Sequence, residues 1–256
     1  MTIKEDVVSD QMIGMYDGII STRAIRRYKY DEPIPDEDLN KMFFAATRGP
    51  SGNNSQPFRF VVLRDGPNAK EARALLGVAF RARWGKKGSD EGYAASATAT
   101  LSPKERMARA MQDFVDNIER APVVVLPCLL PQSNRGSALL PATELARGAS
   151  VYPACQNLLL AARSLGYGGA MTMWHKPAGA LLPAVLGIPE DITIASTIVL
   201  GRPVGKHGPV RRLPMAQLVF DDEWGRSAPW AQDPEGTRFA GPRPSPATAP
   251  APQDKE

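Results

Sequence analysis

The 256-residue sequence predicts an α+β fold, a central mainly antiparallel or mixed sheet flanked by helices. Helical and strand-like patterns occur in mixed order, without the regular β-α-β alternation of a doubly wound sheet. A largely apolar helical stretch at 142–165 reads as a central helix, and a valine-rich run at 121–130 reads as a buried strand. Hydrophobic residues make up 43% of a chain long enough to bury a substantial core.

Each element follows from local chemistry. Residues 1–9 form a loose lead, and 10–20 place Met12, Ile13, Met15, Tyr16, Ile19 and Ile20 at roughly helical spacing. Pro33 and Pro35 break the chain, after which Asp36 can cap a helix running to Ala46. Two prolines and two glycines make 49–57 a loop. Residues 58–63 read as a strand and 68–80 as a helix. The Gly/Ala/Ser-rich stretch 85–100 reads as a mobile excursion, and Pro103 opens a charged amphipathic helix to about Arg120. Gly166–Gly169 stops the central helix in the manner of a glycine cap. A short strand at 170–174, a short helix at 177–186, a β-branched strand at 192–200 and a last short strand at 215–220 complete the order. One domain over 10–225 follows, with a variable lid at about 82–105. The Pro-rich tail 226–256 is expected to be disordered in its last part.

Charge and cysteine usage exclude several classes. A formal charge of +4 without any block of five or six like charges argues against nucleic acid and suits small anionic ligands. Cys128 and Cys155 lack the close spacing of zinc or redox motifs, and apolar neighbours mark both as core residues. His175 and His207 join no metal-like cluster. The first thirty residues carry acids and no long apolar run, and no uninterrupted stretch of about 18 apolar residues occurs, so a soluble cytoplasmic protein without membrane contact is expected. Walker, dinucleotide-fold G-x-G-x-x-G and G-x-S-x-G motifs are absent.

Two segments carry chemistry. In Thr22-Arg23-Ala24-Ile25-Arg26-Arg27-Tyr28, three arginines in five positions can hold a phosphate through paired, charge-assisted hydrogen bonds. In an extended segment Arg23 and Arg27 share a face that Arg26 opposes. Taken alone, the segment is also what a solvated basic patch looks like. In Pro50-Ser51-Gly52-Asn53-Asn54-Ser55-Gln56-Pro57-Phe58, short amides, hydroxyls and exposed backbone N–H groups can read the rim of a heteroaromatic ring. A polar helix-to-strand turn needs fewer polar side chains than this run contains.

The order of these two segments resembles the nitroreductase family of FMN enzymes. Ala154-Cys155-Gln156-Asn157-Leu158-Leu159-Leu160-Ala161-Ala162, Leu165-Gly166-Tyr167-Gly168, Ile198-Val199-Leu200-Gly201-Arg202-Pro203 and Arg211-Arg212-Leu213-Pro214 look like that family's core helix, its exit, its closing strand and a second basic site. The resemblance spans roughly 15–220. It implies an intertwined homodimer with two FMN molecules at the subunit interface and NADPH or NADH as electron donor. By position, Arg23, Ala24, Arg26 and Arg27 would contact the phosphate, ribityl chain or ring edge, with Arg211 and Arg212 completing the phosphate clamp. Pro50, Ser51, Gly52 and Asn54 would come from the other subunit, with Gln56 supporting their loop. Thr172, Met173 and Trp174 would pass the flavin N5 face.

The sequence departs from the family in places. Thr22 stands where a basic residue is common and Ala24 where a serine is common. The Met173-Trp174 pair differs from the acid-glycine pair of some bacterial members. Trp84 and Tyr93, in the lid, could stack on a small aromatic electron acceptor, with packing of the lid surface an equal reading. No amino-acid catalytic residue is required, because the flavin carries the chemistry. The resemblance implies NAD(P)H-dependent, ping-pong reduction of nitroaromatic or quinone acceptors. Two alternatives stay open. One is other chemistry on the same fold, such as oxygen-dependent flavin cleavage, dehalogenation or heterocycle dehydrogenation. The other is non-enzymatic FMN binding or storage.

Overall fold

The computed structural model describes residues 13–91, 102–131, 144–205 and 207–241. Its contacts divide the chain into two compact units, Met1–Lys206 and His207–Glu256.

The first unit is built on a five-stranded sheet in the order β1-β2-β5-β3, with the two-residue β4 also paired to β2. These strands are β1 (Phe58–Leu63), β2 (Val123–Leu129), β3 (Gly168–Thr172), β4 (Thr193–Ile194) and β5 (Thr197–Gly201), and every pairing within the sheet is antiparallel. Six helices accompany it: α1 (Met15–Ser21), α2 (Asp36–Ala46), α3 (Pro67–Glu91), α4 (Pro103–Asp116), α5 (Glu144–Ser164) and α6 (Leu181–Val185).

The valine run of β2 is buried at every position because both faces of the sheet are covered. Val123, Val125, Ile198 and Leu200 face a core shared with α2 and α5, where Met42, Ala46, Val151, Ala154, Leu158 and Ala162 are buried. Val124, Leu126 and Val199 face the opposite core, shared with Leu76 and Phe80 of α3 and Phe114 and Val115 of α4. The buried positions of α5 fall at 151, 154, 155, 158 and 162, the stripe a helix presents to one neighbour.

Several sequence-based expectations change. The run 192–200 is two strands. Its register against β2 slips by one residue between the Val125↔Ile198 and Cys128↔Ile194 pairs, which is a β-bulge. The slip falls beside Pro127, which has no N–H to give the ladder, although its carbonyl still accepts from the Ala195 N–H at 2.8 Å. The expected excursion from residue 85 is helical through Glu91, as part of α3. The run 215–220 forms a 3₁₀ turn, Met215–Gln217, in place of a strand. Asp36 is the first residue of α2 rather than its cap, and its carboxylate pairs with Arg64 at 2.7 Å. The 103–120 helix ends at Asp116 and a 3₁₀ turn, Ile118–Arg120, follows. The 177–186 helix is a 3₁₀ turn, Lys176–Ala178, followed by α6. Residues 1–9 and the end of the tail lie outside the described residues.

Candidate functional site

The arginine segment crosses the β3 edge of the sheet. Ala24 forms a parallel bridge with Gly169, and the Ile25 N–H donates to the Gly169 carbonyl at 2.9 Å. Further on, Tyr28 bridges Pro203. The segment is not a regular strand, because Ile25 and Tyr28 are both buried although strand alternation would oppose them. The Tyr28 hydroxyl donates to the Ile25 carbonyl and lies 3.1 Å from the Val199 carbonyl, which holds the turn in place. Gly168 permits the crossing, since a Cβ there would sit 2.6 Å from Ile25 Cγ1.

The charge of Arg23 is felt at Arg26, which follows it by three positions. Arg26 is half-buried, and burial lowers its pKa, with the nearby Tyr28 opposing that shift and the positive charge of Arg23 adding to it. Among the described residues no carboxylate pairs with Arg26. A desolvated guanidinium beside a second one is a position that an anion would stabilise. Arg27 is exposed, and its carbonyl accepts from the Val204 N–H at 3.0 Å.

The polar loop lies before β1. Ser51, Gly52, Asn53, Asn54, Ser55 and Gln56 include a 3₁₀ turn, Gly52–Asn54, and three non-glycine residues in the left-handed region: Asn53 (φ 52°), Asn54 (φ 51°) and Gln56 (φ 46°). Asparagine tolerates this conformation better than glutamine does. The Gln56 N–H donates to Ser51 Oγ at 3.0 Å, and its Nε2 lies 3.2 Å from both the carbonyl and Oδ1 of Asn54. Ser150 of α5 accepts from the Gly52 N–H at 3.2 Å and anchors the loop from below. Ser150 is 98 positions away in sequence, so nothing local to the loop could have named it. Pro50, Gly52 and Asn54 are exposed.

Thr172 closes β3, and Met173 and Trp174 follow it. Met173 is 40% exposed. The Trp174 ring turns inward, stacked on Trp84 at 6.3 Å and edge-on to Phe80 at 5.8 Å. Trp84 is itself 6% exposed and its indole N–H donates to Gln112 at 2.8 Å, so its ring is committed to packing between α3 and α4. Tyr93 lies outside the described residues. Arg211 and Arg212 belong to the second unit, where both are exposed; Arg212 bridges Phe239 and its carbonyl accepts from the Ala240 N–H at 2.8 Å.

A single chain does not bring the first unit's site residues to one place. The polar loop enters β1 at one edge of the sheet, while the arginine segment bridges β3 at Gly169 and Thr172 ends that strand, at the far end of the strand order. Three strand spacings separate those edges, roughly 14 Å. Helix α5 records the same gap: it holds the loop at Ser150 and reaches Ser21, just before the arginines, at Arg163 (3.5 Å). Thirteen residues of helix span about 20 Å.

Other side chains offer little chemistry. Cys128 and Cys155 are buried and burial pushes both thiols up to about 11, so neither is a nucleophile at neutral pH. His175 is buried and its pKa is lowered, chiefly by that burial. Among the described residues there is no metal-binding group of His, Cys, Asp or Glu, and no helix is long and apolar enough to cross a membrane.

Fold and site together define a class: an α+β protein whose sheet is covered by helices on both faces, with an arginine segment and a polar loop at opposite sheet edges. The chain belongs to the nitroreductase family, whose profile matches residues 19–202. It is 29% identical over 213 residues to a NADH dehydrogenase of Thermus thermophilus, covering 78% of this chain and 92% of the relative. It is 27% identical over 186 residues to a 5,6-dimethylbenzimidazole synthase of Rhodospirillum rubrum, covering 72% of this chain and 80% of the relative. Among solved structures it resembles a putative nitroreductase in complex with FMN from Desulfovibrio desulfuricans. That match has a TM-score of 0.55 and 23% identity, and covers 83% of this chain and 98% of the other.

Proposed function

We propose that this chain is an FMN-dependent NAD(P)H oxidoreductase acting on nitroaromatic, quinone or similar acceptors, and that it works as a homodimer. The observation that carries the reading is Arg26, half-buried beside Arg23 and without an acid among the described residues, a place prepared for a phosphate. The residues fit the cofactor in kind: guanidinium groups for a phosphate, and exposed loop amides for the rim of a flavin ring. FMN, when bound, would supply the redox chemistry between the nicotinamide donor and the acceptor, and the chain's part is to hold and orient it. Arg23 and Arg26 hold negative charge at the β3 edge. The left-handed turn at Asn53, Asn54 and Gln56 keeps donors and acceptors of the loop exposed. Met173, 40% exposed, supplies an apolar wall beside the end of β3. Each chain carries the two halves of the site about 20 Å apart along α5, so pairing two copies would complete two sites.

The test is direct. The purified protein is expected to be yellow, and to oxidise NADH or NADPH with menadione or a nitrobenzamide as acceptor. A colourless protein that ignores added FMN would overturn the cofactor. A yellow protein that passes no electrons from either nicotinamide would leave FMN storage as its role. The likeness to a 5,6-dimethylbenzimidazole synthase supports a second reading, oxygen-dependent flavin cleavage. It predicts consumption of the flavin in air, with no turnover of added acceptors.

A further inference from the structure

The alternation of β3 continues past its last residue. Met171 is 38% exposed and Met173 40%, while Ala170 is buried and Thr172 and Trp174 are half-buried. With side chains on alternate faces, whatever fixes Trp174 on the inner face fixes Met173 on the outer one. Beyond Trp174 the chain turns: the Lys176 N–H donates to the Met173 carbonyl at 3.4 Å, and His175 is buried.

The Trp174 ring is held by α3. Phe80 and Trp84 stand four residues apart on one face of that helix. Phe80 meets the Trp174 ring edge-on at 5.8 Å, and Trp84 lies nearly parallel to it, at 6.3 Å and 24°. Helix α4 in turn fixes the plane of Trp84. The indole N–H donates to Gln112 Oε1 at 2.8 Å, while Gln112 Nε2 donates to both Asp116 carboxylate oxygens, at 3.0 and 2.9 Å. An indole N–H only donates and an ionised carboxylate only accepts, so one orientation of the Gln112 amide satisfies both neighbours. One line of contacts therefore runs from Asp116 through Gln112 and Trp84 to Trp174, next to Met173.

We propose that Trp84 is a positioning residue for the electron acceptor: through Trp174 it holds Met173 outward as the apolar wall of the acceptor site. The inference rests on the FMN-dependent oxidoreductase function proposed for this chain. With both indoles stacked inward, the outer face at the end of β3 is a pair of thioethers, Met171 and Met173, which are flexible and polarizable. Such a wall takes flat aromatic acceptors of differing outline.

The experiment compares Trp84→Ala, Trp84→Phe, Met173→Ala and the double variant Trp84→Ala with Met173→Ala against the wild-type protein. Three quantities are read: KM and kcat for menadione, FMN affinity by fluorescence titration of the apoprotein, and the circular-dichroism couplet of two stacked indoles. Trp84→Ala is expected to raise KM roughly threefold to tenfold, with kcat changing less. It should abolish the couplet and leave FMN affinity within about twofold of wild type. Trp84→Phe keeps a ring against Trp174, so it should restore KM while losing the couplet. In the double variant KM should rise no further than in the worse single variant, because both substitutions act on one wall. A wild-type KM in Trp84→Ala, KM effects that multiply in the double variant, an equal loss of FMN affinity, or a couplet that survives Trp84→Ala each overturns the proposal. Gln112 is exposed, so Gln112→Leu cuts the link without opening a cavity. If Trp84→Ala fails to fold, a raised KM in Gln112→Leu supports the proposal and a wild-type KM overturns it. A wild-type protein that binds no FMN or passes no electrons to menadione overturns the oxidoreductase reading and the acceptor role with it. The couplet then still shows whether Trp84 and Trp174 stack.

Discussion

At the scale of single residues, the arginines show how burial decides what a positive charge can do. Arg59, Arg81 and Arg202 are all spent on partners: Arg59 on backbone carbonyls, Arg81 on Glu119, and Arg202 on Glu32 and the face of Tyr167. Arg26 is half-buried and feels the charge of Arg23, so on the phosphate-site proposal it is the residue whose loss should be felt most. Each charge-assisted bond to a phosphate is worth about 1.5–3 kcal/mol, or about tenfold to a hundredfold in affinity. Arg26→Ala is therefore expected to weaken FMN retention by at least about tenfold. Fluorescence titration of the apoprotein with FMN measures this, and unchanged affinity would remove the phosphate-clamp assignment. The sequence named Arg26, but the turn around it depends on the Tyr28 hydroxyl meeting the carbonyls of Ile25 and Val199, the latter 171 positions away, which no local pattern carries.

At the scale of elements, α5 runs from the polar loop, which it holds at Ser150, to Ser21 just before the arginines, which it reaches at Arg163. It packs on α2 through a contact that leaves no room for a side chain at Gly49, where a Cβ would lie 2.7 Å from the backbone nitrogen and Cα of Ala154. Because the obstruction is helix backbone, it cannot swing aside as a flexible side chain would. Gly49→Ala is expected to destabilise the fold by about 1–3 kcal/mol, seen as a lower denaturation midpoint at unchanged m-value. Since Gly49 precedes Pro50 and Ser51, the same substitution should shift the polar loop and lower FMN affinity. A wild-type midpoint would show that α2 and α5 are not pressed together as described. The elements most legible from sequence were β1, whose span 58–63 came out as expected, and α2, which ends at Ala46 as expected and starts one residue early, at Asp36. The lid was the least legible. Its glycines and alanines suggested an excursion, yet α3 continues to Glu91, and the burial of Trp84 against Trp174 and Gln112 supplies the tertiary support that local propensity lacks.

At the scale of the whole molecule, the exposed apolar surface asks for a partner. Helix α1 has no buried residue, and Met15, Tyr16, Ile19 and Ile20 are between 51% and 83% exposed along it. Phe44 on α2 is 64% exposed. Isolated apolar side chains on a surface are ordinary, but a run of them on one short helix is a mark of association. Light scattering is expected to give a mass twice the 27.7 kDa of the chain. Ile19→Asp with Ile20→Asp should shift that mass to the monomer and release the flavin together with it. A monomeric wild-type protein that still holds FMN would sink the shared-site arrangement.

The sequence by itself determined the kind of fold, the family and the residue types able to meet an anion and a heteroaromatic ring, because apolar periodicity and short motifs are local properties of the chain. Tertiary structure alone decided where those residues stand. The break of 192–200 into β4 and β5 beside Pro127, the turn that buries both Ile25 and Tyr28, and the inward rotation of Trp174 all depend on partners far along the chain. So does the separation of the polar loop from the arginine segment, which follows from strand order: β1 and β3 are the two edges of the path β1-β2-β5-β3, and no inspection of either motif could reveal the distance between them.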